Sequence, residues 1–345
     1  MPSTSRALLD FEQLPIVDVS ALDGAQGEHR RETIERLRRA AAEVGFLYVT
    51  NHGVPGAQIA ALEQAARSFF ALPEDAKLRY HIGRSTNHRG YVPPGEEVFY
   101  GQSRDIKEAF DLSRELPAAD YGVASRFLGP NVWPEELPHF RDAVESYYGS
   151  AFALGKKLLS AFAEALGLSP AYFDGFLQRP PSQLRLIHYP PVVADEQTMG
   201  IGAHTDYECL TLLHATEPGL QVMNGRGQWV SAPPIPGAFV VNIGDLLEVW
   251  SNGHFVSTSH RVVPVSVERY SFPLFFTVDY STRVEPLPEL SSEGARYPGL
   301  VSGDHLLAQT MQSFRYLIEL REKGLAKLPQ GARELSSFGR ERRND

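Results

Sequence analysis

The sequence predicts a protein of mixed α and β structure, in which helices wrap around a β core. Helical periodicity occupies the first half of the chain and its C-terminal end. Between them, about 100 residues hold seven short segments rich in β-branched and aromatic residues, each bounded by turn-forming residues. Strands of this length and spacing are typical of sandwiches and barrels, a class that includes jelly rolls.

Four segments have the spacing of amphipathic helices, with apolar residues every three or four positions. In the first of them, Ile34, Leu37 and Ala41 recur on an otherwise charged surface. The predicted helices cover residues 30–46, 59–72, 137–168 and 304–322. Residues 81–135 are rich in glycine, proline and polar residues, which predicts irregular chain with short strands.

The chain is acidic, with 42 Asp and Glu against 33 Lys and Arg and a formal net charge of -9. Because nucleic-acid affinity depends on clustered basic residues, we expect a small-molecule substrate and no nucleic-acid partner. No run reaches the roughly 18 apolar residues of a membrane span, and no signal-peptide pattern is present, so we expect a cytoplasmic protein without a membrane partner. The single Cys209 excludes an internal disulfide and suits a reducing compartment.

Two histidines and an aspartate have the pattern of a metal site. His204 and Asp206 are one residue apart in GIGAHTDYECLTLL, so an extended chain projects both from one face. His260 begins a β-branched run that could lie beside them. Two imidazoles and one carboxylate can occupy one face of an octahedral iron and leave three positions open. A His-x-Asp pair alone is weak evidence, because many surface turns contain one.

A possible anion-binding pair follows in the sequence ERYSFPLFF. Arg269 and Ser271 project from the same face of a predicted strand. A guanidinium on an apolar strand is costly unless it meets an anion, and a guanidinium beside a hydroxyl suits a carboxylate. Pairing of Arg269 with a protein Asp or Glu is the alternative.

Several motifs together resemble one family. The order His-Thr-Asp, a histidine 54 residues after the aspartate, and Arg-x-Ser resembles the isopenicillin N synthase-like family of Fe(II) and 2-oxoglutarate-dependent oxygenases. The N-terminal segments LPIVDVS, AAEVGFLYVTNHGVP and FFALPEDAKL are also similar to that family. The resemblance covers residues 14 to 322, nearly the whole chain.

This resemblance implies a fold. The core would be a double-stranded β-helix, or jelly roll, wrapped by N-terminal and C-terminal helices. We expect residues 1–178 to form an N-terminal region that packs on the core, residues 179–285 to form the catalytic core, and residues 286–345 to form a C-terminal helix and polar tail.

The resemblance also implies cofactors and a reaction. The cofactors would be Fe(II), 2-oxoglutarate and O2, and a small molecule would be oxidised, most simply hydroxylated, with release of succinate and CO2. The iron ligands would be His204, Asp206 and His260, and the residues that bind 2-oxoglutarate would be Arg269, Ser271 and Tyr189.

One departure from the family pattern leaves an alternative open. Many plant members have an asparagine two residues before the tyrosine, where this chain has Ile187. Isopenicillin N synthase also has an isoleucine there, and it is an oxidase that uses no 2-oxoglutarate. A second alternative is a small-molecule binder without catalysis, against which the intact motifs speak.

Four further residues are candidates for substrate binding. Glu97 lies in a segment similar to one that approaches the active site in bacterial members, where it could bind a substrate cation; a solvated loop carboxylate is the alternative. Arg185 could meet a carboxylate or form an ion pair within the protein. Tyr207 and Phe275 could line the pocket or fill the core. The resemblance around Glu97 favours an amino acid or similar polar metabolite as substrate.

Overall fold

The computed structural model describes residues 10–24, 27–98, 106–192 and 200–330. Seven α-helices lie within these ranges: α1 (Glu28–Glu43), α2 (Gly56–Phe70), α3 (Glu74–Leu78), α4 (Phe140–Ala165), α5 (Asp245–Trp250), α6 (Ser302–Ser313) and α7 (Arg315–Glu322). None of the helices in this part of the chain is both long and apolar enough to cross a membrane.

The same ranges contain fourteen β-strands. They are β1 (Ile16–Asp18), β2 (Phe46–Thr50), β3 (Gly90–Val92), β4 (Glu108–Ser113), β5 (Gln183–Tyr189), β6 (Ile201–His204), β7 (Leu210–Ala215), β8 (Leu220–Met223), β9 (Trp229–Ser231), β10 (Ala238–Ile243), β11 (His260–Val262), β12 (Arg269–Phe276), β13 (Arg283–Val284) and β14 (Leu300–Val301).

Two sheets build the core and confirm the predicted jelly roll. The larger has eight strands in the order β1-β2-β10-β7-β12-β5-β4-β3, and the smaller has four in the order β6-β11-β8-β9. All pairs in these two sheets are antiparallel except β1 with β2. The four N-terminal strands therefore extend the sheet to which the central strands β5, β7, β10 and β12 belong.

Alternation along β12 separates the two faces of the large sheet. Tyr270, Phe272, Leu274 and Phe276 are buried in the main apolar core, which also contains α1, α2 and α4. The residues between them, beginning with Arg269 and Ser271, face a cavity on the other side. Because side chains alternate across a strand, one short segment supplies both the core and the cavity wall.

The helices of the N-terminal half lie close to their predicted positions. The predicted segments 30–46, 59–72 and 137–168 correspond to α1, α2 and α4. Gly155 of α4 lies directly against the ring of Phe276, because a Cβ at this position would be 2.4 Å from Cδ2 of that ring. The glycine therefore lets the long helix approach the sheet closely.

The prediction of one C-terminal helix over 304–322 is wrong, because the chain forms two helices that are interrupted at Phe314. Phe314 has extended torsion angles, with φ of -103° and ψ of 127°. The carbonyl of Ser313 accepts from the amide of Val98 at 2.8 Å, and the amide of Arg315 donates to the carbonyl of Glu96 at 2.9 Å. Pairing with this distant segment replaces helical hydrogen bonds and divides the helix.

Gly155→Ala should lower the free energy of unfolding by about 1 to 3 kcal/mol, the usual cost of overfilling a packed core. Urea unfolding monitored by circular dichroism measures the change. Gly149→Ala is the matched control, since Gly149 is exposed on the same helix and a Cβ there meets nothing within 4 Å. The control should gain about 0.5 to 1 kcal/mol, and a similar gain at position 155 would contradict the close packing.

Candidate active site

The ten side chains predicted for the site all line one cavity of about 110 Å³ between the two sheets. They are Glu97, Arg185, Tyr189, His204, Asp206, Tyr207, His260, Arg269, Ser271 and Phe275. Strand alternation accounts for much of the wall, since every second residue of β5, β7 and β12 faces it. The structure therefore brings together residues that lie up to 178 positions apart, such as Glu97 and Phe275.

The two predicted histidine ligands lie side by side in the small sheet. His204 ends β6, His260 begins β11, and the two are register partners with ring centroids 4.3 Å apart. The Nδ1 atom of His204 lies 2.8 Å from the carbonyl of Gly202, and that of His260 lies 3.2 Å from the carbonyl of Thr258. A proton on each Nδ1 would make these hydrogen bonds and leave each Nε2 lone pair free for a metal.

Asp206 completes the cluster from the turn that follows β6. Its Oδ1 atom lies 3.7 Å from Nε2 of His204 and 3.6 Å from Nε2 of His260. Its Oδ2 atom accepts hydrogen bonds from the hydroxyl of Thr211 at 2.5 Å and from Nδ2 of Asn242 at 2.7 Å. One carboxylate oxygen is thus held by the protein while the other faces the two imidazoles.

Thr211 and Asn242 are site residues that the sequence reasoning missed. The pattern around Asn242, Gly244 and Asp245 predicts a structural turn and strand junction, and Thr211 drew no prediction. Strand alternation was the available signal, because Thr211 shares a face of β7 with the cavity residue Leu213. A polar side chain on the cavity face of a strand can hydrogen-bond a ligand or another group in the cavity.

Burial and neighbouring groups set the protonation states of His204 and Asp206. Burial, with the adjacent His260, lowers the pKa of His204 to about 4, so its imidazole is neutral at pH 7. Burial opposes ionisation of Asp206, but the two histidines and the bonds from Thr211 and Asn242 outweigh it and lower its pKa. Neutral imidazoles and an ionised carboxylate are the forms that coordinate a cation.

The donor set fits a divalent transition metal. One ligand atom from each of His204, Asp206 and His260 lies within 4.8 Å of the others. Two imidazoles and one carboxylate on one side of an ion are typical of non-haem Fe(II) sites that keep open coordination positions. The rest of the cavity lies on the open side.

Arg269 carries a buried charge that has no acidic partner within the described ranges. Its side chain is only 1% exposed, its Nε donates to the carbonyl of Glu217 at 3.0 Å, and its guanidinium lies 4.6 Å from the ring centre of Tyr189. The Nη1 atom has no hydrogen-bond partner among the described residues. No ion pair joins Arg269 to an Asp or Glu among the described residues, so the alternative of such a pairing is wrong for this part of the chain.

The rest of the predicted anion pocket adjoins Arg269. Tyr189 is its register partner on β5, and Ser271 lies two residues further along the same face of β12. Burial lowers the pKa of Arg269. Because arginine side chains are effectively always protonated in proteins, the guanidinium is charged. A fixed cation with an unused donor and a hydroxyl on the same face can take an anion.

Glu97 belongs to a buried charge network, so the alternative of a solvated loop carboxylate is wrong. It is 3% exposed; its Oε1 accepts from Nη1 of Arg185 at 2.6 Å, and its Oε2 contacts Nζ of Lys107. Arg185 also binds both oxygens of Asp111 at 2.7 Å, so it forms ion pairs within the protein. The negative charges of Glu97 and Asp111 are thus matched by the positive charges of Arg185 and Lys107.

Tyr207 and Phe275 line the cavity as predicted, and further residues complete it. Glu208 is buried there, and no ion pair joins it to a described residue; burial, with Asp206 nearby, raises its pKa to about 8. Residues of α6 and the helix break, together with His88, form a further part of the wall. Two other histidines of the central strands, His188 and His214, lie outside the cavity lining and contact Glu108 and Glu63.

The fold and this donor set define the class of iron-dependent oxygenases, and comparisons with known proteins agree. Residues 14–136 match the family described as non-haem dioxygenase in morphine synthesis N-terminal. Residues 180–278 match the 2OG-Fe(II) oxygenase superfamily.

Similar proteins extend over most of the chain. A homoarginine-6-hydroxylase of Arabidopsis thaliana is 36% identical over 331 residues, which cover 88% of this chain and 98% of the relative. The 2-oxoglutarate-dependent dioxygenase citB of Monascus ruber is 34% identical over 322 residues, with 89% and 97% covered. A full-length Neurospora crassa protein in complex with alpha-KG superimposes with a TM-score of 0.76 at 28% identity, covering 87% of this chain and 97% of that one.

The chain belongs to the 2OG-Fe(II) oxygenase superfamily. It is an Fe(II)- and 2-oxoglutarate-dependent dioxygenase that oxidises a small molecule, as the sequence motifs predict. The alternative of a binder without catalysis gains no support from these relatives.

Thr211→Val should weaken Fe(II) binding about 10- to 100-fold, because the loss of a hydrogen bond that orients a ligand has effects of this size. The Asp206 carboxylate would then be held by Asn242 alone. Anaerobic titration with Fe(II) measures the affinity. Thr211→Ser keeps the hydroxyl and should bind Fe(II) nearly as well as the wild type; equal losses in both variants would point to packing.

Glu97→Gln should lower the free energy of unfolding by about 3 to 5 kcal/mol at pH 7, because it leaves buried cations without their partner. Burial opposes ionisation, but Arg185 and Lys107 lower the pKa of Glu97 from 4.5 to about 2. Its stabilisation is therefore present above pH 4.5 and is lost as the pH falls towards 2.

Unfolding of the wild type and Glu97→Gln should be compared between pH 7 and pH 2. The difference in free energy of unfolding between the two proteins should become smaller below pH 4.5. Glu289→Gln, which changes an exposed carboxylate, should match the wild type at every pH. If this difference is as large at pH 2 as at pH 7, Glu97 is not ionised and paired in the folded protein.

Proposed function

We propose that this dioxygenase hydroxylates an amino acid that carries a basic group on its side chain. His204, Asp206 and His260 would hold Fe(II), and Arg269, Ser271 and Tyr189 would hold 2-oxoglutarate. When bound, the iron and 2-oxoglutarate supply the oxidation of a substrate C–H bond by O2, with succinate and CO2 as co-products.

The guanidinium of Arg269, which has no acidic partner among the described residues and leaves Nη1 without a hydrogen bond, is the observation that carries the assignment of 2-oxoglutarate. A buried cation costs free energy unless an anion meets it, and Nη1 of Arg269 is an unused donor in the wall of the cavity that contains the cluster. A dicarboxylate with one end at Arg269 and the other at the metal would neutralise the guanidinium and fill open coordination positions of the metal. Ser271 would add a hydroxyl donor to the same carboxylate.

The protein's own residues would orient and shield the reactants. Asn242 and Thr211 would fix Asp206, the carbonyls of Gly202 and Thr258 would fix the imidazoles, and apolar residues such as Ile187 would exclude water from the cavity. Tyr207 and Phe275 would contact the substrate.

Two observations support a basic amino acid as substrate. The Arabidopsis relative is a homoarginine-6-hydroxylase, and relatives from soybean and rice carry the same activity in their names. Glu208 is a buried carboxyl group in the cavity wall, without an ion-pair partner among the described residues, and its raised pKa keeps it mostly protonated at pH 7. A basic substrate group beside it would favour its ionised form and supply the ion-pair partner. Glu97 contributes less, because Arg185 and Lys107 already balance its charge. A contact between Glu97 and the substrate stays a prediction.

The cellular setting is also part of the proposal. A formal net charge of -9 supports a soluble metabolite as partner, without nucleic acid or a membrane surface. The single cysteine supports a reducing compartment, for which the cytoplasm is the simplest choice.

Anaerobic titration of the Fe(II)-loaded protein with 2-oxoglutarate should produce the visible charge-transfer band of the metal chelate. Arg269→Lys should weaken 2-oxoglutarate binding at least tenfold, a cost of about 1.4 kcal/mol, and leave Fe(II) affinity unchanged, because an ammonium cannot reproduce the planar grip of a guanidinium. Arg261→Lys, at a half-buried arginine of β11, is the matched control and should bind 2-oxoglutarate like the wild type.

The same titration tests the oxidase alternative that Ile187 raises. An iron-loaded wild type that gives no band and forms no succinate, yet consumes O2 with substrate, would remove 2-oxoglutarate from the reaction. Normal 2-oxoglutarate binding by Arg269→Lys would instead leave the cosubstrate in place and remove Arg269 from its site.

A further inference from the structure

A second, larger cavity adjoins the cavity that contains the metal cluster. Its volume is about 600 Å³, and it lies between the segments 83–88 and 122–127 and the helices α6 and α7. His88 and Thr310 line both cavities. The two spaces therefore adjoin and share part of one wall, and the larger one is here called the outer cavity.

The lining of the outer cavity combines one cation with hydroxyl and apolar groups. Arg126 is half-buried and forms no ion pair or hydrogen bond with a described residue. Ser85, Thr86 and Ser125 offer hydroxyls, and leucines of α6 and α7 offer an apolar surface. No Asp or Glu lines this cavity within the described residues, so its charge is positive.

The side chain between the two cavities is held firmly. His88 is 5% exposed and has a positive φ of 60°. Its Nδ1 atom lies 2.7 Å from the hydroxyl of Tyr316, and its ring meets the ring of Phe314 edge to face at 4.6 Å. His88 therefore forms a fixed rim past which an extended ligand would lie.

We propose that the outer cavity receives the carboxylate end of the substrate, which pairs with Arg126, while the remainder of the substrate extends past His88 to the metal side. This inference rests on the proposed function, since it names where an amino-acid substrate would be held by its carboxylate.

The charges of the inner cavity favour this arrangement. Arg269 is taken up by the proposed 2-oxoglutarate site, and Arg185 and Lys107 are already paired with protein carboxylates. A substrate carboxylate placed there would compete with Glu97 and Asp111 for the same donors. Among the described residues that line the two adjoining cavities, Arg126 is the arginine that has neither a partner within the protein nor a proposed cosubstrate.

The test compares two probes, L-homoarginine and the corresponding amine without its carboxylate. Calorimetry under anaerobic conditions, with Fe(II) and 2-oxoglutarate bound, gives a dissociation constant for each. Arg126→Gln should weaken L-homoarginine binding about fivefold to tenfold, as expected for a half-exposed charged hydrogen bond, and change amine binding less than twofold. Arg84→Gln, at an exposed arginine outside the cavity lining, should change neither.

A second variant tests the cavity without removing its charge. Val123 is 55% exposed and lines the outer cavity, so Val123→Trp should fill that space, leave the fold intact and weaken L-homoarginine binding more than amine binding. If neither variant changes L-homoarginine binding, or if both probes lose affinity equally, the outer cavity is not the site of the substrate carboxylate. The proposed reaction would be unaffected by that result. A wild type that binds no L-homoarginine would overturn both this inference and the substrate class, whereas the 2-oxoglutarate titration decides the dioxygenase chemistry separately.

Discussion

The Asp206 carboxylate joins the two sheets at one point, and the geometry of the site depends on it. Its Oδ2 atom is held by Thr211 of β7 and Asn242 of β10 in the large sheet, and its Oδ1 atom faces His204 and His260 of the small sheet. An ionised carboxylate at 4% exposure is stable only when such partners surround it. The two sheets are thus aligned by the same group that would bind the metal.

Strand alternation explains why much of the site could be predicted from sequence. His204 with Asp206, and Arg269 with Ser271, are each separated by one residue, and an extended chain turns such pairs to one side. The helices α1, α2 and α4 were predicted from apolar periodicity because each packs one stripe on the sheet. In these cases the side-chain pattern of the segment and its packing in the folded protein both require the same residues to face the same side.

The features that sequence did not predict depend on contacts between distant segments. Phe314 lies within a helical pattern, and only its pairing with the segment around Glu97 explains why the helix stops there. Glu97 could not be recognised as buried, because Arg185 and Lys107, which balance its charge, come from another strand and another loop. Asn242 likewise acquires its role from a carboxylate 36 positions away.

The interruption at Phe314 also has a consequence for how the protein is made. One part of the cavity wall pairs Glu97 with Phe314, which are more than 200 positions apart, whereas β6 and β11, which carry the two histidines, end by residue 262. Loops of this length close late, after local structure has formed. During synthesis the strands of the metal cluster leave the ribosome before this wall exists, so a nascent chain could gather the three donors while its cavity is still open to water.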